Sequence, residues 1–296
     1  MVSDGMVQVV KEVSLSVVQI SNGHRGFGSG VVWDVEGHIV TNAHVVGRSE
    51  TVRVSFSQDG GEETHEGKVI EIDRFSDVAV VHIDNLPKTI LHPIQRGDSS
   101  MLSTGQLVFA LANPFGGKVS ATFGIITNAS ARIGGRTPWA DDVVVTDARL
   151  NPGYSGGPLV DVFGKMIGMN AAYFTNRGIS IPANQLNETV RDLLVEGGVK
   201  RAYLGIVSDS ISLPEDVAEQ IKQEEGLLVY SVELGTPAKK AGVAVGDIVV
   251  RLDSKPVRNY YDLRRILTSK IIGKETSLSI LRGEKLTELL ITPIEA

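Results

Sequence analysis

Gly153-Tyr154-Ser155-Gly156-Gly157 sets a serine among glycines. Such a segment lets the backbone approach a bound substrate and aims amide N–H groups into one small space. A nucleophilic hydroxyl with an oxyanion pocket needs that arrangement, although a glycine-rich hairpin turn would use the same letters. A serine nucleophile also needs a base, normally histidine. All six histidines, at 24, 38, 44, 65, 82 and 92, precede Ser155. The serine-before-histidine order of α/β-hydrolases is therefore excluded, while the order histidine, aspartate, serine stays open.

His44 is the best placed base. It sits in Thr41-Asn42-Ala43-His44-Val45-Val46, just after an apolar strand, and Ala43 leaves room beside it. His38 reads as a turn residue and His24 and His65 as loop residues, while His82, between Val81 and Ile83, reads as part of a strand. The matching acid is Asp77, at the entrance to the strand Val78-Ala79-Val80. A lone aspartate there also suits a turn, so its chemical role depends on His44 and Ser155. No H-E-x-x-H or comparable ligand cluster is present, so neither a metal nor a cofactor is expected.

The elements that must position these residues are mostly strands. From about Val7 to Ala183, short apolar runs alternate with turn residues, as in a sandwich or barrel. The runs are Ser29–Trp33, His38–Thr41, Thr51–Phe56, Lys68–Ile72, Val78–Ile83, Leu107–Ala112 and Val143–Thr146. Turns fall at Glu36-Gly37, Asp59-Gly60-Gly61, Asn113-Pro114 and Gly134-Gly135. No helical periodicity interrupts this half. Leu186, Val190, Leu193 and Leu194 then form one apolar helical stripe, with Asn184 as its cap and Gly197-Gly198 as its stop.

The remainder reads as a small α+β module. Pro214 opens a polar helix toward Gln223, and a strand follows at Leu227–Val232. A one-turn helix spans Pro237 to Gly242, capped by Thr236. Strand Asp247–Leu252, a helix from Asn259 to Ser269 and strand Leu278–Leu281 complete it. Two domains result, residues 1–198 and 199–296.

Composition agrees with this division and removes other classes. The chain has 296 residues with 32 glycines and only 5% aromatics, which favours tight turns and β-branched cores. It has no cysteine, which excludes disulfides, thiolate metal sites and a cysteine nucleophile. A net charge of −6 argues against nucleic acid as a partner. No apolar run is long enough to cross a membrane as a helix. Residues 1–20 lack the uninterrupted apolar core of a signal peptide. A cytoplasmic location is the expectation, an exported protein with its leader removed the alternative.

Taken together, the segments resemble the HtrA (Deg) family of trypsin-fold serine proteases. The matching segments are Gly28-Ser29-Gly30-Val31-Val32 with Gly37 to Val46, Asp77-Val78-Ala79-Val80, Asn113-Pro114-Phe115-Gly116, and Thr146-Asp147-Ala148 with Asn151 to Leu159. Tyr203-Leu204-Gly205-Ile206, Gly235-Thr236-Pro237-Ala238, Ala241-Gly242 and Gly246-Asp247 resemble a bacterial-type PDZ domain.

The resemblance implies a mainly β fold, a chymotrypsin-like double six-stranded barrel followed by the α+β PDZ module. It implies an ATP-independent endopeptidase that acts on unfolded or damaged proteins under stress, as part of protein quality control. Ser155 would be the nucleophile, His44 the base and Asp77 its orienting acid, with the N–H groups of Gly153 and Ser155 as the oxyanion hole. The strand near Asn170–Tyr173 would pair with substrate backbone. In the PDZ module, the loop of Tyr203, Leu204, Gly205 and Ile206 would hold a peptide's terminal carboxylate. Leu263, Ile266 and Leu267 would face the groove, or else serve as core. A chaperone-like peptide binder with an idle triad is the competing reading.

Departures from the family pattern are also visible. Tyr154 stands where asparagine is usual, either reshaping the mouth of the pocket or facing solvent. Arg149 occupies a position that is small in relatives, either narrowing the specificity pocket or pointing away. Gly178–Pro182 is two residues shorter than its counterpart. Relatives commonly form trimers through N-terminal aromatic contacts, but residues 1–26 contain no Phe, Tyr or Trp. A homo-oligomer by that route is therefore not expected.

Overall fold

The computed structural model describes residues 2–23, 27–58, 61–74, 76–131, 142–174, 176–194, 202–283 and 285–295. The chain divides into two compact units, Met1–Glu196 and Gly197–Ala296.

The first unit holds two closed barrels. Strands β1 (Val17–Ser21), β2 (Phe27–Val32), β3 (His38–Thr41), β4 (Thr51–Gln58), β5 (Gly61–Asp73) and β6 (Val78–His82) close in the order β1-β2-β3-β6-β5-β4. Strands β7 (Leu107–Ala112), β8 (Ser120–Ala131), β9 (Val143–Thr146), β10 (Pro158–Asp161), β11 (Met166–Phe174) and β12 (Arg177–Pro182) close in the order β10-β11-β12-β9-β8-β7. Closure pairs each of these strands with two neighbours in its barrel.

The packing explains why these strands read as continuous apolar runs. Side chains alternate between the two faces of a strand, and here both faces are covered. In β3 and β6, Ile39, Ala79 and Val81 fill the first barrel's interior. Their neighbours Val40, Val78 and Val80 point outward into a second core. That outer core also takes Phe109, Leu111 and Val160 from the second barrel. The two barrels are thus joined by a shared apolar layer, with Val108, Ala110, Val144 and Leu159 filling the second interior.

Two helices cap the shared layer. Helix α1 (Val2–Ser14) packs Met6, Val9, Val10 and Val13 against it. No helix is expected there from the sequence, because five β-branched valines and Gly5 are weak helix formers. The i, i+3, i+4, i+7 spacing of the packed residues is the signal that identifies it. A one-turn helix α2 (Ala43–Val46) follows β3. Helix α3 (Ala183–Leu193) buries Leu186, Val190 and Leu193, as the stripe requires, while Leu194 is its C-cap. Asn184 lies inside this helix and not at its cap; its amide donates to Asp98 at 2.7 Å, tying α3 to the turn at Ser99–Met101. The expected stop at Gly197-Gly198 lies outside the described residues, as do the turn at Gly134-Gly135 and His24.

In the second unit, β14 (Ile206–Ser212), β15 (Glu225–Val232), β16 (Ile248–Leu252), β18 (Thr276–Arg282) and β19 (Lys285–Ile291) form one sheet in that order. The short β17 (Lys255–Pro256) pairs with β16, and β13 (Ala202–Tyr203) pairs with β20 (Ile294–Glu295). Helices α4 (Glu215–Ile221), α5 (Pro237–Lys240) and α6 (Tyr260–Ile266) complete the unit. The Asn259 side chain caps α6 by accepting from the Asp262 N–H at 2.8 Å. The helix ends at Leu267, short of Ser269, and a separate 3-10 turn spans Ser269–Ile271. Thr236 precedes α5 without capping it by side chain; its hydroxyl donates to the Glu233 carbonyl at 2.7 Å.

Candidate active site

The two strands of the first barrel that lie side by side, β3 and β6, deliver His44 and Asp77 to one place. Asp77 immediately precedes β6, and His44 lies on α2, just past the end of β3. Asp77 Oδ2 is 2.7 Å from His44 Nδ1, and Asp77 Oδ1 accepts from the His44 backbone N–H at 3.0 Å. The aspartate is held from its other side as well. Its carbonyl accepts from the Ala43 N–H at 3.1 Å and from the Asn42 side-chain amide at 2.9 Å. Asp77 has φ +54°, a left-handed conformation that aspartate tolerates better than most residues. Its side chain is 8% exposed and that of His44 is 50% exposed, so the imidazole presents its free edge outward from a buried carboxylate.

Ser155 comes from the second barrel, on the loop between β9 and β10. Ser29 of β2 carries this loop, a role that sequence reasoning did not assign to it. The Ser29 N–H donates to the Ser155 carbonyl at 2.8 Å, and its hydroxyl donates to the Gly153 carbonyl at 2.8 Å. The same hydroxyl accepts from the Asn113 N–H at 2.8 Å. Gly156, with φ +83°, passes so close to this strand that a Cβ there would lie 2.0 Å from the Ser29 carbonyl oxygen. Only glycine fits.

Buried Asn170 supports the loop from below. The N–H of Gly156 donates to its carbonyl and its own N–H donates to Gly157, both at 2.9 Å. Among the described residues, the N–H groups of Gly153 and Ser155 meet no protein acceptor. The Ser155 hydroxyl donates to the Ala171 carbonyl at 3.2 Å, and among the described residues it forms no hydrogen bond to His44.

A recess of about 310 Å³ opens beside Ser155, lined by Leu150, Pro152, Gly153, Tyr154 and Ala172. Tyr154 does not face solvent: it is 3% exposed and packs in the second barrel's core. Burial raises the pKa of its phenol, against hydrogen bonds with Asn151 and Thr122 that lower it. Arg149 points away and is exposed, so Leu150, and not a cation, lines the recess. On β11, the pairing with β10 stops at Met169 while the pairing with β12 continues to Phe174. Beyond Asn170, one edge of β11 therefore carries no strand partner among the described residues. Gly178–Pro182 lies in β12, on the paired side.

The other histidines stand elsewhere. His38 begins β3 and His65 lies within β5, both in strands where a turn and a loop were expected. His82 ends β6, as its neighbours imply.

In the second unit, Tyr203, Leu204, Gly205 and Ile206 lead from β13 into β14, the edge strand of the sheet. The Leu204 carbonyl accepts from Ala238 at 2.8 Å and the Gly205 carbonyl from Glu233 at 2.9 Å. The N–H groups of Leu204 and Gly205 have no protein acceptor among the described residues. Gly205 has φ +84°, and a Cβ there would lie 2.2 Å from Thr236. Tyr203 is fastened by a hydrogen bond to Glu233. Leu263, Ile266 and Leu267 are at most 9% exposed and belong to the core.

Residues 28–169 match the trypsin-like peptidase domain and residues 204–292 match the PDZ domain. Protease Do-like 1, chloroplastic, of Arabidopsis thaliana is 37% identical over 287 residues, covering 90% of this chain and 63% of that protein. The putative serine protease HhoA of Synechocystis sp. is 35% identical over 282 residues, covering 90% of this chain and 70% of that protein. The periplasmic serine endoprotease DegP of Salmonella typhimurium is 34% identical over 265 residues, covering 87% and 54%. The chain thus spans only part of the length of these curated relatives. Among solved structures, the HtrA-type protease AlgW with a tripeptide superposes with a TM-score of 0.80 at 26% identity, covering 98% of this chain and 97% of that one. With both domains matched in order and the relatives so named, this chain belongs to the HtrA (Do/Deg) family of trypsin-like serine proteases with a PDZ domain.

Proposed function

We propose that the chain is an ATP-independent serine endopeptidase that cleaves unfolded or damaged proteins through an acyl-enzyme. The observation that carries this reading is the His44–Asp77 hydrogen bond of 2.7 Å, together with a recess lined by Ser155, whose amide and that of Gly153 meet no protein acceptor among the described residues. The Ser155 hydroxyl turns from Ala171 toward His44, gives up its proton to the imidazole and attacks the scissile carbonyl. The Gly153 and Ser155 N–H groups take the developing oxyanion, a role in which one donor contributes about 2.7–4 kcal/mol. His44 then protonates the leaving amine, and water repeats the sequence to release the acid. Asp77 keeps the proton on Nδ1 so that Nε2 is the base.

The apolar recess between Leu150 and Ala172 suits an aliphatic side chain before the cut bond, and the free edge of β11 suits an extended peptide. Residues 1–198 act as the protease and 199–296 as the PDZ module. In the latter, a peptide adds beside edge strand β14 and its carboxylate meets the amides of Leu204 and Gly205. The sequence contains no G-x-x-x-x-G-K-[ST] nucleotide loop, in keeping with ATP-independent action. Several relatives are named periplasmic or chloroplastic and none is named cytoplasmic, so we place the activity outside the cytoplasm.

Incubation with an unfolded protein such as casein tests the proposal. Cleavage by the native chain and its loss in Ser155→Ala are expected, and equal cleavage by the variant would sink it. One observation favours a second reading, a chaperone-like binder with a resting triad: Ser155 is bonded to Ala171 and not to His44. That reading predicts suppression of aggregation, unchanged in Ser155→Ala, with no cleavage by either form.

A further inference from the structure

The hairpin turn between β2 and β3 gathers a set of donor atoms that the serine chemistry does not use. One ligand atom each from Asp34, Glu36 and His38 lie within 4.8 Å of one another. Asp34 Oδ2 is 2.7 Å from His38 Nδ1. Its other oxygen is held by the N–H groups of Glu36 and His38, at 2.9 and 3.2 Å. This carboxylate is therefore oriented before any ligand arrives.

A second imidazole stands beside the three. His82 is paired with His38 in register across β3 and β6, and the two ring centroids are 5.0 Å apart. His82 Nε2 lies 3.1 Å from the Glu36 carbonyl, and Nδ1 lies 3.3 Å from Asp84. Glu36 is exposed, which leaves an open path to the site.

Two imidazoles and two carboxylates make a nitrogen–oxygen donor set suited to a first-row divalent ion. At zinc–ligand distances of ~2.0–2.2 Å a tetrahedron places its donors ~3.3 Å apart. The clustered atoms, all within 4.8 Å, close by at most about 1.5 Å where they are widest, Asp34 and His38 open from 2.7 Å, and the His82 ring turns from the Glu36 carbonyl. Two carboxylates also balance a divalent charge.

We propose that Asp34, Glu36, His38 and His82 form a binding site for a zinc-class divalent metal ion. Three donors alternate in the five residues from Asp34 to His38, and the fourth comes from a strand distant in sequence. The site has a mechanical consequence. His38 pairs with His82 at one end of β3 and β6, and Thr41 pairs with Ala79 at the other, next to His44 and Asp77. A bound ion ties together the far ends of the two strands that carry the His44–Asp77 pair.

The test uses the full chain, stripped by chelator dialysis and titrated with Co²⁺ and then Zn²⁺. One equivalent of Co²⁺ should give a visible absorption band typical of tetrahedral coordination, and Zn²⁺ should abolish that band. With metal at ~100 Kd, the melting temperature of the chain should rise by about 5 °C or more. The double variant His38→Gln/His82→Gln should lose both effects. Glu36→Gln, at an exposed position where folding is not at risk, should weaken binding at least ~10-fold, the cost seen even for residues that only orient a metal ligand. Absence of stoichiometric binding would overturn the proposal. So would a band that survives the double variant but disappears in His44→Ala, since the metal would then sit at the His44–Asp77 pair.

Discussion

The hydroxyl of Ser155 donates to the carbonyl of Ala171 at 3.2 Å, so the hydroxyl proposed as nucleophile is bonded to the strand beside it. A peptide laid along the free edge of β11 brings its own backbone N–H groups to that edge. One of them would compete for the Ala171 carbonyl and free the hydroxyl for His44. Binding energy from the extended peptide would thus be used in the chemical step. In a series of chromogenic peptides of increasing length, kcat should rise with each residue that reaches β11, by roughly 10²-fold overall. A series in which only KM changes would refute this.

Asp77 offers a clean separation of chemistry from folding. Asparagine tolerates the left-handed backbone that Asp77 adopts at φ +54°. Asp77→Asn should therefore leave the melting temperature nearly unchanged. It also presents the imidazole with the wrong hydrogen-bond partner, so kcat should fall by roughly 10⁴-fold. Paired melting curves and peptide kinetics check both halves.

Ser29 bridges the two barrels at the serine loop through Gly153 and Asn113. Ser29→Ala strands a buried N–H and a carbonyl. The expected loss of stability is about 1–3 kcal/mol, read by denaturant unfolding. Activity should drop further than stability alone accounts for, because the Gly153 peptide loses its anchor. Unchanged kcat in the folded variant would count against the anchoring role.

Asp247 gives the second unit a dependence on acid. Burial works to raise its pKa, but the Arg282 guanidinium and the Ala244 N–H outweigh it and hold the carboxyl below its ordinary 3.8. A folded pKa below the unfolded one means that the contribution to stability is complete above about pH 4 and is lost as the pH falls through the folded value. Arg282→Gln should therefore destabilise the chain near neutral pH, with the gap to the native chain closing toward pH 3. Melts across that range decide it, and a gap that does not change with pH would be contrary.

Much of this protein is legible before folding is considered. Strands β3, β7 and β9 match their apolar runs residue for residue, because a strand covered on both faces must be apolar throughout. The order of His44, Asp77 and Ser155 selects one arrangement of the serine chemistry, since order along a chain constrains which fold can bring three residues together. Helix α1 was obscured because its valines and Gly5 speak for strand or turn locally, while packing against the barrels' shared layer decides for helix.

Other features exist only in three dimensions. Leu263, Ile266 and Leu267 are buried in the second unit, which their spacing by itself does not give, since core and groove residues share one periodicity. The inward turn of Tyr154 and the outward turn of Arg149 depend on which side of a loop the second barrel's core lies. The role of Ser29, the hold of Ala171 on Ser155 and the meeting of His38 with His82 all join residues distant in sequence. The amino-acid sequence by itself determines which groups are present and which strands they ride on. Their contacts follow only from barrel closure and strand register, which set distances that no local pattern encodes.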